Sequence, residues 1–124
     1  MLKILVVEDN PVFRESFKQS LSSRFRSIVI EEAESGEEAL EKVKINPPHL
    51  IFVDLRLPGI NGLEAIKRIK AAFPEIRAAM VTGYDLPEYR QAAAQCGAEG
   101  FFSKDSLNWD AFKALVESIE KAIA

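Results

Sequence analysis

A doubly wound (βα)5 α/β domain, five parallel strands with helices on both faces, is the fold this sequence predicts. Three observations predict it. Residues 4–7, 50–53 and 79–81 are unbroken apolar runs, the pattern of strands buried on both faces. Between such runs the apolar residues recur at helical spacing, so strand-like and helix-like segments alternate five times. That alternation implies right-handed crossovers between parallel strands, giving a three-layer arrangement.

The first strand covers residues 3–7. Asn10-Pro11 then supplies a cap followed by proline at the first helical position, and Phe13, Phe17, Leu21 and Phe25 form the helix's apolar stripe. Residues 27–33, with Ile28, Val29 and Ile30, read as strand two. Ser35 and Glu38 have capping-box spacing ahead of helix two, whose inner face is Ala39, Leu40 and Val43 and which Pro47-Pro48 ends. Strand three is residues 50–54. After a Pro58-Gly59 turn, Asn61 and Glu64 cap helix three, which buries Leu63, Ile66, Ile69 and Phe73 before Pro74 stops it. Strand four runs over residues 78–82 and helix four over 87–96, with Gly97 as its stop. Strand five is 100–103. Helix five starts near Asn108 and carries the stripe Phe112, Leu115, Val116, Ile119 and Ile123.

A length of 124 residues predicts one domain over 1–124, and no apolar stretch is long enough to cross a bilayer. The start, Met1-Leu2-Lys3-Ile4, lacks the features of a signal peptide, so a cytoplasmic protein is expected. The lone Cys96 fits a structural thiol. A net charge of -3, with Lys and Arg scattered, argues against nucleic-acid binding by this domain. The acidic stretch Glu31, Glu32, Glu34, Glu37, Glu38 and Glu41 reads as a solvated loop and helix face.

Parallel strands bring their carboxyl ends to one edge, where open α/β sheets bind ligands. Glu8 and Asp9 follow strand one, Asp54 ends strand three, Thr82 closes strand four and Lys104 follows strand five. Each has an ordinary explanation: a solvated strand-end acid, acids favoured by a helix dipole, a β-branched strand residue, a lysine paired with Asp105. Together they form an unusual set. Acids after adjacent strands repel one another unless a cation lies between them, and a hard ion such as Mg²⁺ binds through one or two carboxylates, waters and a phosphate oxygen. An ammonium and a hydroxyl suit that phosphate. His49, at the opposite edge, reads as structural or superficial, and Trp109 as packing.

These residues resemble the receiver domain of two-component response regulators (the CheY-like family) over essentially the whole chain. The likeness rests on Ile4-Leu-Val-Val-Glu8-Asp9-Asn10, Asp54-Leu-Arg-Leu-Pro58-Gly59-Ile-Asn-Gly62, Val81-Thr82-Gly83, and Gly97-Ala98 through Lys104. It implies a flavodoxin-like sheet of order 2-1-3-4-5. It also implies that Asp54 is the phosphoacceptor for a sensor histidine kinase or phosphotransfer protein. Mg²⁺ or Mn²⁺ would be held by Asp9, Asp54 and the backbone carbonyl of Arg56, with Glu8 acting through water. Lys104 would bond a phosphoryl oxygen, Thr82 would move to meet it, and Phe101 would turn inward. The surface of helix four, strand five and helix five would then control an output protein or effector domain, and could form a homodimer.

Three features depart from the commonest receiver pattern. Asp105 follows Lys104 where many receivers have proline, and a cis bond there costs about 3 kcal/mol more without proline. Lys-Asp is similar to receivers often joined to helix-turn-helix DNA-binding domains. Phe101 replaces a tyrosine found in some members. Arg56 and Tyr84 flank the site as residues that would set the phosphate's lifetime, and Arg56 could instead pair with Glu8 without metal. The resemblance implies a signalling protein whose only chemistry is its own phosphorylation and dephosphorylation. The alternatives are a phosphate-independent interaction module and an aspartate-nucleophile phosphatase. The second is weakened by Arg56, which stands where such enzymes carry a second acid.

Overall fold

The computed structural model describes residues 1–123. Its elements are β1 (Leu2–Val7), α1 (Pro11–Arg24), β2 (Ile28–Ala33), α2 (Gly36–Ile45), β3 (Leu50–Val53), α3 (Gly62–Ala72), β4 (Arg77–Thr82), α4 (Pro87–Cys96), β5 (Gly100–Ser103) and α5 (Trp109–Ile123). The strands form one parallel sheet of order β2-β1-β3-β4-β5. The expected architecture and strand order are both present. β3 stops one residue short of the expected end, so Asp54 is the first residue beyond it, and its N–H still donates to Val7 O at 3.1 Å.

Alternate residues of each strand serve opposite layers. Leu5, Val7, Ile51, Val53 and Met80 pack with Ala39 and Val43 of α2, Ala65, Ile66 and Ile69 of α3, and Ala93 of α4. Ile4, Val6, Phe52, Val81 and Phe102 pack with Phe17 and Leu21 of α1 and with Phe112, Val116 and Ile119 of α5. Aromatic rings dominate that second layer. Phe17 meets Phe52 edge-on at 5.3 Å, and Phe102 stacks on Phe112 at 3.9 Å. Trp109 lies against Phe112 at 4.9 Å, the packing role expected of it.

Local chemistry sets the helix starts. Asn10 Oδ1 accepts from Val12 N and Phe13 N, Ser35 Oγ from Glu38 N, Asn61 Oδ1 from Glu64 N, and Asn108 Oδ1 from Ala111 N. The capping box of α2 closes one residue early, because Glu38 Oε1 accepts from Glu34 N. Helix α4 differs from the others. It begins after Leu86, which has no side chain to cap it, although Gly97 ends it in the left-handed conformation as expected.

The acidic stretch departs from its expected character. Glu31 and Glu32 belong to the edge strand β2, and Glu32 pairs with both Arg14 and Lys18 of α1. Lys42 donates to Glu32 O and Asn46 to Glu31 Oε1, so this edge is covered by charged side chains that discourage further strand pairing. His49 has the structural role expected, its Nδ1 accepting from Lys3 N at 2.9 Å.

Candidate functional site

The parallel register delivers the site. Val7 aligns with Val53 and Val53 with Met80, so Glu8 and Asp54 leave the sheet at one level, while β4 and β5 run two residues further to the aligned pair Thr82 and Ser103. Glu8, Asp9 and Asp54 emerge there, each with a carboxylate oxygen within 4.8 Å of the others. Glu8 and Asp54 are almost sealed, at 2% and 6% exposure, whereas Asp9 faces solvent.

Lys104 crosses from the end of β5 to meet them. Its Nζ donates to Asp54 Oδ2 at 3.0 Å and forms a close ion pair with Glu8 Oε1 at 2.5 Å. Lys104 therefore pairs inside the pocket and not with Asp105. The chain reaches it through trans peptide bonds, as at every other described position, and a turn closed by Ser103 and Ser106 follows.

Burial pushes the Glu8 carboxyl up to about 6, against the opposing pull of the Lys104 ammonium and of the Asn10 N–H on Oε2. Burial also acts against the Lys104 charge, but the bonds and charges of Glu8 and Asp54 outweigh it and hold the ammonium above its ordinary range. The lysine thus stays cationic.

Asp54 Oδ1 is buried with no hydrogen-bond donor, and the buried Glu8 Oε1 has only the shared Lys104 ammonium beside it. A buried anion short of donors is costly, and one ammonium cannot satisfy three acids. Carboxylate oxygens are the ligands a hard divalent cation takes, and the exposed Asp9 leaves a side open for waters and a further oxygen ligand. The donor set fits such an ion.

The remaining residues surround this pocket. Thr82 is fully buried, and its hydroxyl accepts from Tyr84 N at 3.3 Å. Arg56 does not pair with Glu8 as one expectation had it. Lys104 already occupies Glu8, and the Arg56 guanidinium lies over the Tyr84 ring at 4.4 Å. Phe101 is half-buried under the Arg90 guanidinium, 4.8 Å from its ring centroid, and Arg90 is also tied to Asp85.

Two contributors were not anticipated. Arg14 Nη1 donates to Glu8 O at 2.7 Å, anchoring the backbone of the acidic turn while its Nε holds Glu32. Gly62 packs so tightly on the β3 exit that a Cβ there would stand 2.1 Å from Asp54 O. The glycine in the segment following Asp54 is a signal for such an approach; nothing local marks Arg14, whose partners lie on β2 and in the turn after β1.

The sequence model described as "Response regulator receiver domain" matches residues 4–117. The chain belongs to this family. It is 31% identical over 116 residues to the probable transcriptional regulatory protein NarL of Mycobacterium tuberculosis, covering 94% of this chain and 54% of that protein. It is 33% identical over 104 residues to the response regulator GacA of Pseudomonas protegens, covering 84% and 49%. The chain thus spans about half the length of these curated relatives. Among solved structures, the NarL signal receiver domain of M. tuberculosis superposes with a TM-score of 0.85 at 31% identity, covering 96% of each chain. A CheY-like receiver domain from Methanospirillum hungatei gives 0.85 at 26%, covering 98% and 95%. The receiver fold and its acidic cluster, suited to a phosphoacceptor and metal site, are therefore both present. No described helix is long and apolar enough to cross a membrane.

Proposed function

We propose that this chain is a phosphorylation-activated switch in which Asp54 accepts a phosphoryl group from a sensor histidine kinase or phosphotransfer protein. The observation that carries the reading is the Asp54 carboxylate itself: buried, hydrogen-bonded to Lys104 through Oδ2, with Oδ1 free of any donor. A carboxylate oxygen attacks phosphorus as the bond to the donor's histidine nitrogen breaks. The bonding electron pair returns to that nitrogen, leaving an acyl phosphate on Asp54. Hydrolysis removes the group when water attacks phosphorus and the aspartate oxygen departs, releasing inorganic phosphate and restoring the carboxylate.

Such a transfer needs in-line positioning and neutralisation of the phosphoryl oxygens more than covalent help. Asp9, Asp54, the Arg56 carbonyl and, through water, Glu8 would hold Mg²⁺ or Mn²⁺. When bound, the ion supplies positive charge to the transferred oxygens. Lys104 redirects its ammonium from Asp54 to a phosphoryl oxygen. Thr82 turns its hydroxyl toward the same group, giving up its contact with Tyr84 N. Phe101 then leaves Arg90 and packs inward, shifting the population of the α4–β5–α5 surface. Arg56 and Tyr84, stacked at the mouth, govern water's access to the phosphate.

That surface is the proposed contact for an output partner and for a homodimer. The half-length match to proteins named as transcriptional regulators supports an effector domain as the output. In this reading residues 1–124 form one receiver domain, work in the cytoplasm, and touch neither membrane nor nucleic acid directly.

Incubation with acetyl phosphate tests the reading by intact-mass detection. A gain of one phosphoryl group, dependent on Mg²⁺ and mapped to Asp54, is expected for the wild type and not for Asp54→Asn. An equal gain in Asp54→Asn would refute it.

A further inference from the structure

Lys104 has a third neighbour that is not a carboxylate. The ring of Phe13 lies under its ammonium, centroid to Nζ 4.5 Å. Phe13 sits in the first turn of α1, half-buried, and its position is fixed from outside the acidic pocket. It stacks on Phe17 at 5.6 Å, and Phe17 in turn meets Phe52 of β3 edge-on. The next residue, Arg14, holds Glu8 O. One helical turn thus contacts both the cation and an acid of the site.

We propose that Phe13 is a positioning residue for phosphoryl transfer, its ring face holding the Lys104 ammonium at the pocket while leaving its N–H groups free for a phosphoryl oxygen. The inference rests on Asp54 being the phosphoacceptor. A lysine ammonium is a point charge on a flexible stem, and something must confine it. A carboxylate or carbonyl in Phe13's place would confine it through a directed hydrogen bond, which would have to break as the phosphoryl group arrives. An aromatic face attracts the charge through its quadrupole without claiming an N–H. The ammonium can therefore turn from Asp54 Oδ2 to the new oxygen while remaining over the ring. With a side chain only 19% exposed, Lys104 is partly desolvated, which strengthens this attraction.

The experiment separates ring electrostatics from ring volume. Phe13 is replaced by phenylalanines bearing one, two and three fluorines, and by Leu and Trp, and the rate of Asp54 phosphorylation by acetyl phosphate with Mg²⁺ is measured. Fluorine keeps the shape but drains the π face. The rate is expected to fall stepwise along the fluorine series and by about fivefold in Phe13→Leu, with Phe13→Trp restoring it. In a Lys104→Met background the same series is expected to be flat. A flat series in the presence of Lys104, with only Phe13→Leu slowed, would reduce Phe13 to packing and overturn the proposal. Failure of the wild type to be modified would instead refute the phosphoacceptor reading. A second measurement needs no phosphodonor: the Lys104 ε-methylene proton resonances, shielded by the ring, should move downfield in Phe13→Leu, and unchanged resonances would overturn the proposal.

Discussion

The acidic pocket and the α4–β5 face are built to opposite specifications. At the acidic pocket, β1 and β3 are sealed from Ile4 and Leu50 to their last residues, and the turn after β1 is fastened by Arg14 and by Asn10 N–H. At the α4–β5 side, β5 is an edge strand of which only Phe102 is buried, and α4 buries Ala93 alone. Helix α4 lacks a side-chain N-cap, and its start is held by the Arg90–Asp85 ion pair, exposed on both partners. Exposed pairs contribute little, and few buried apolar contacts mean cheap local opening. Rigidity lies where charge is gathered, and looseness at the face proposed to change.

The largest blow to the contrast should come from the rigid side. Phe52→Ala removes a ring packed against both Phe17 and Phe112, and should cost about 3–5 kcal/mol in denaturant unfolding, whereas Arg90→Ala should cost under about 1 kcal/mol. Gly62→Ala comes next. Its Cβ would collide with backbone rather than with a yielding side chain, so a loss of about 3 kcal/mol is expected, with weakened Mg²⁺ binding measured by calorimetry as the Asp54 turn shifts.

Glu8 supplies a pH-dependent test. Its folded carboxyl ionises near 6, above its usual 4.5, so the folded state holds the proton more tightly. The associated stability is complete below about 4.5 and is lost as pH rises through about 6, a change of about 2 kcal/mol in metal-free protein. Glu8→Gln should flatten unfolding profiles over that window. Mg²⁺ should bind more weakly below pH 6 in the wild type, because the proton competes for the same carboxylate.

The smallest effect sharpens the comparison on the loose side. Leu86→Asp supplies the missing cap of α4 and gives up little buried surface, since Leu86 is 46% exposed. It should add about 1 kcal/mol and slow amide exchange in α4 without altering exchange in α1.

The sheet and the acidic pocket were legible in the sequence for a physical reason. A strand buried on both faces must be uninterrupted in apolar residues, so the first charge after it marks where the chain leaves the sheet. Glu8, Asp54 and Lys104 were read in this way, and the caps at Asn10, Ser35 and Asn61 follow from chemistry within four residues. What escaped depends on side chains meeting from separate loops. Arg56 was allowed a partner in Glu8 but stacks on Tyr84, because Lys104 reaches Glu8 first. Glu32 was read as solvated, yet two cations of α1 lie across from it on β2. Neither outcome has a signature in spacing along the chain.

Hydrogen exchange of the protein with Mg²⁺ and beryllofluoride, a phosphoryl mimic, tests most directly whether the rigid pocket drives the loose face. Exchange in α4, β5 and α5 should change in the wild type only when Mg²⁺ is present, while Asp54→Asn shows no change and the buried amides of β1 and β3 remain protected. Identical exchange in wild type and Asp54→Asn, with mimic and metal both supplied, would contradict the account.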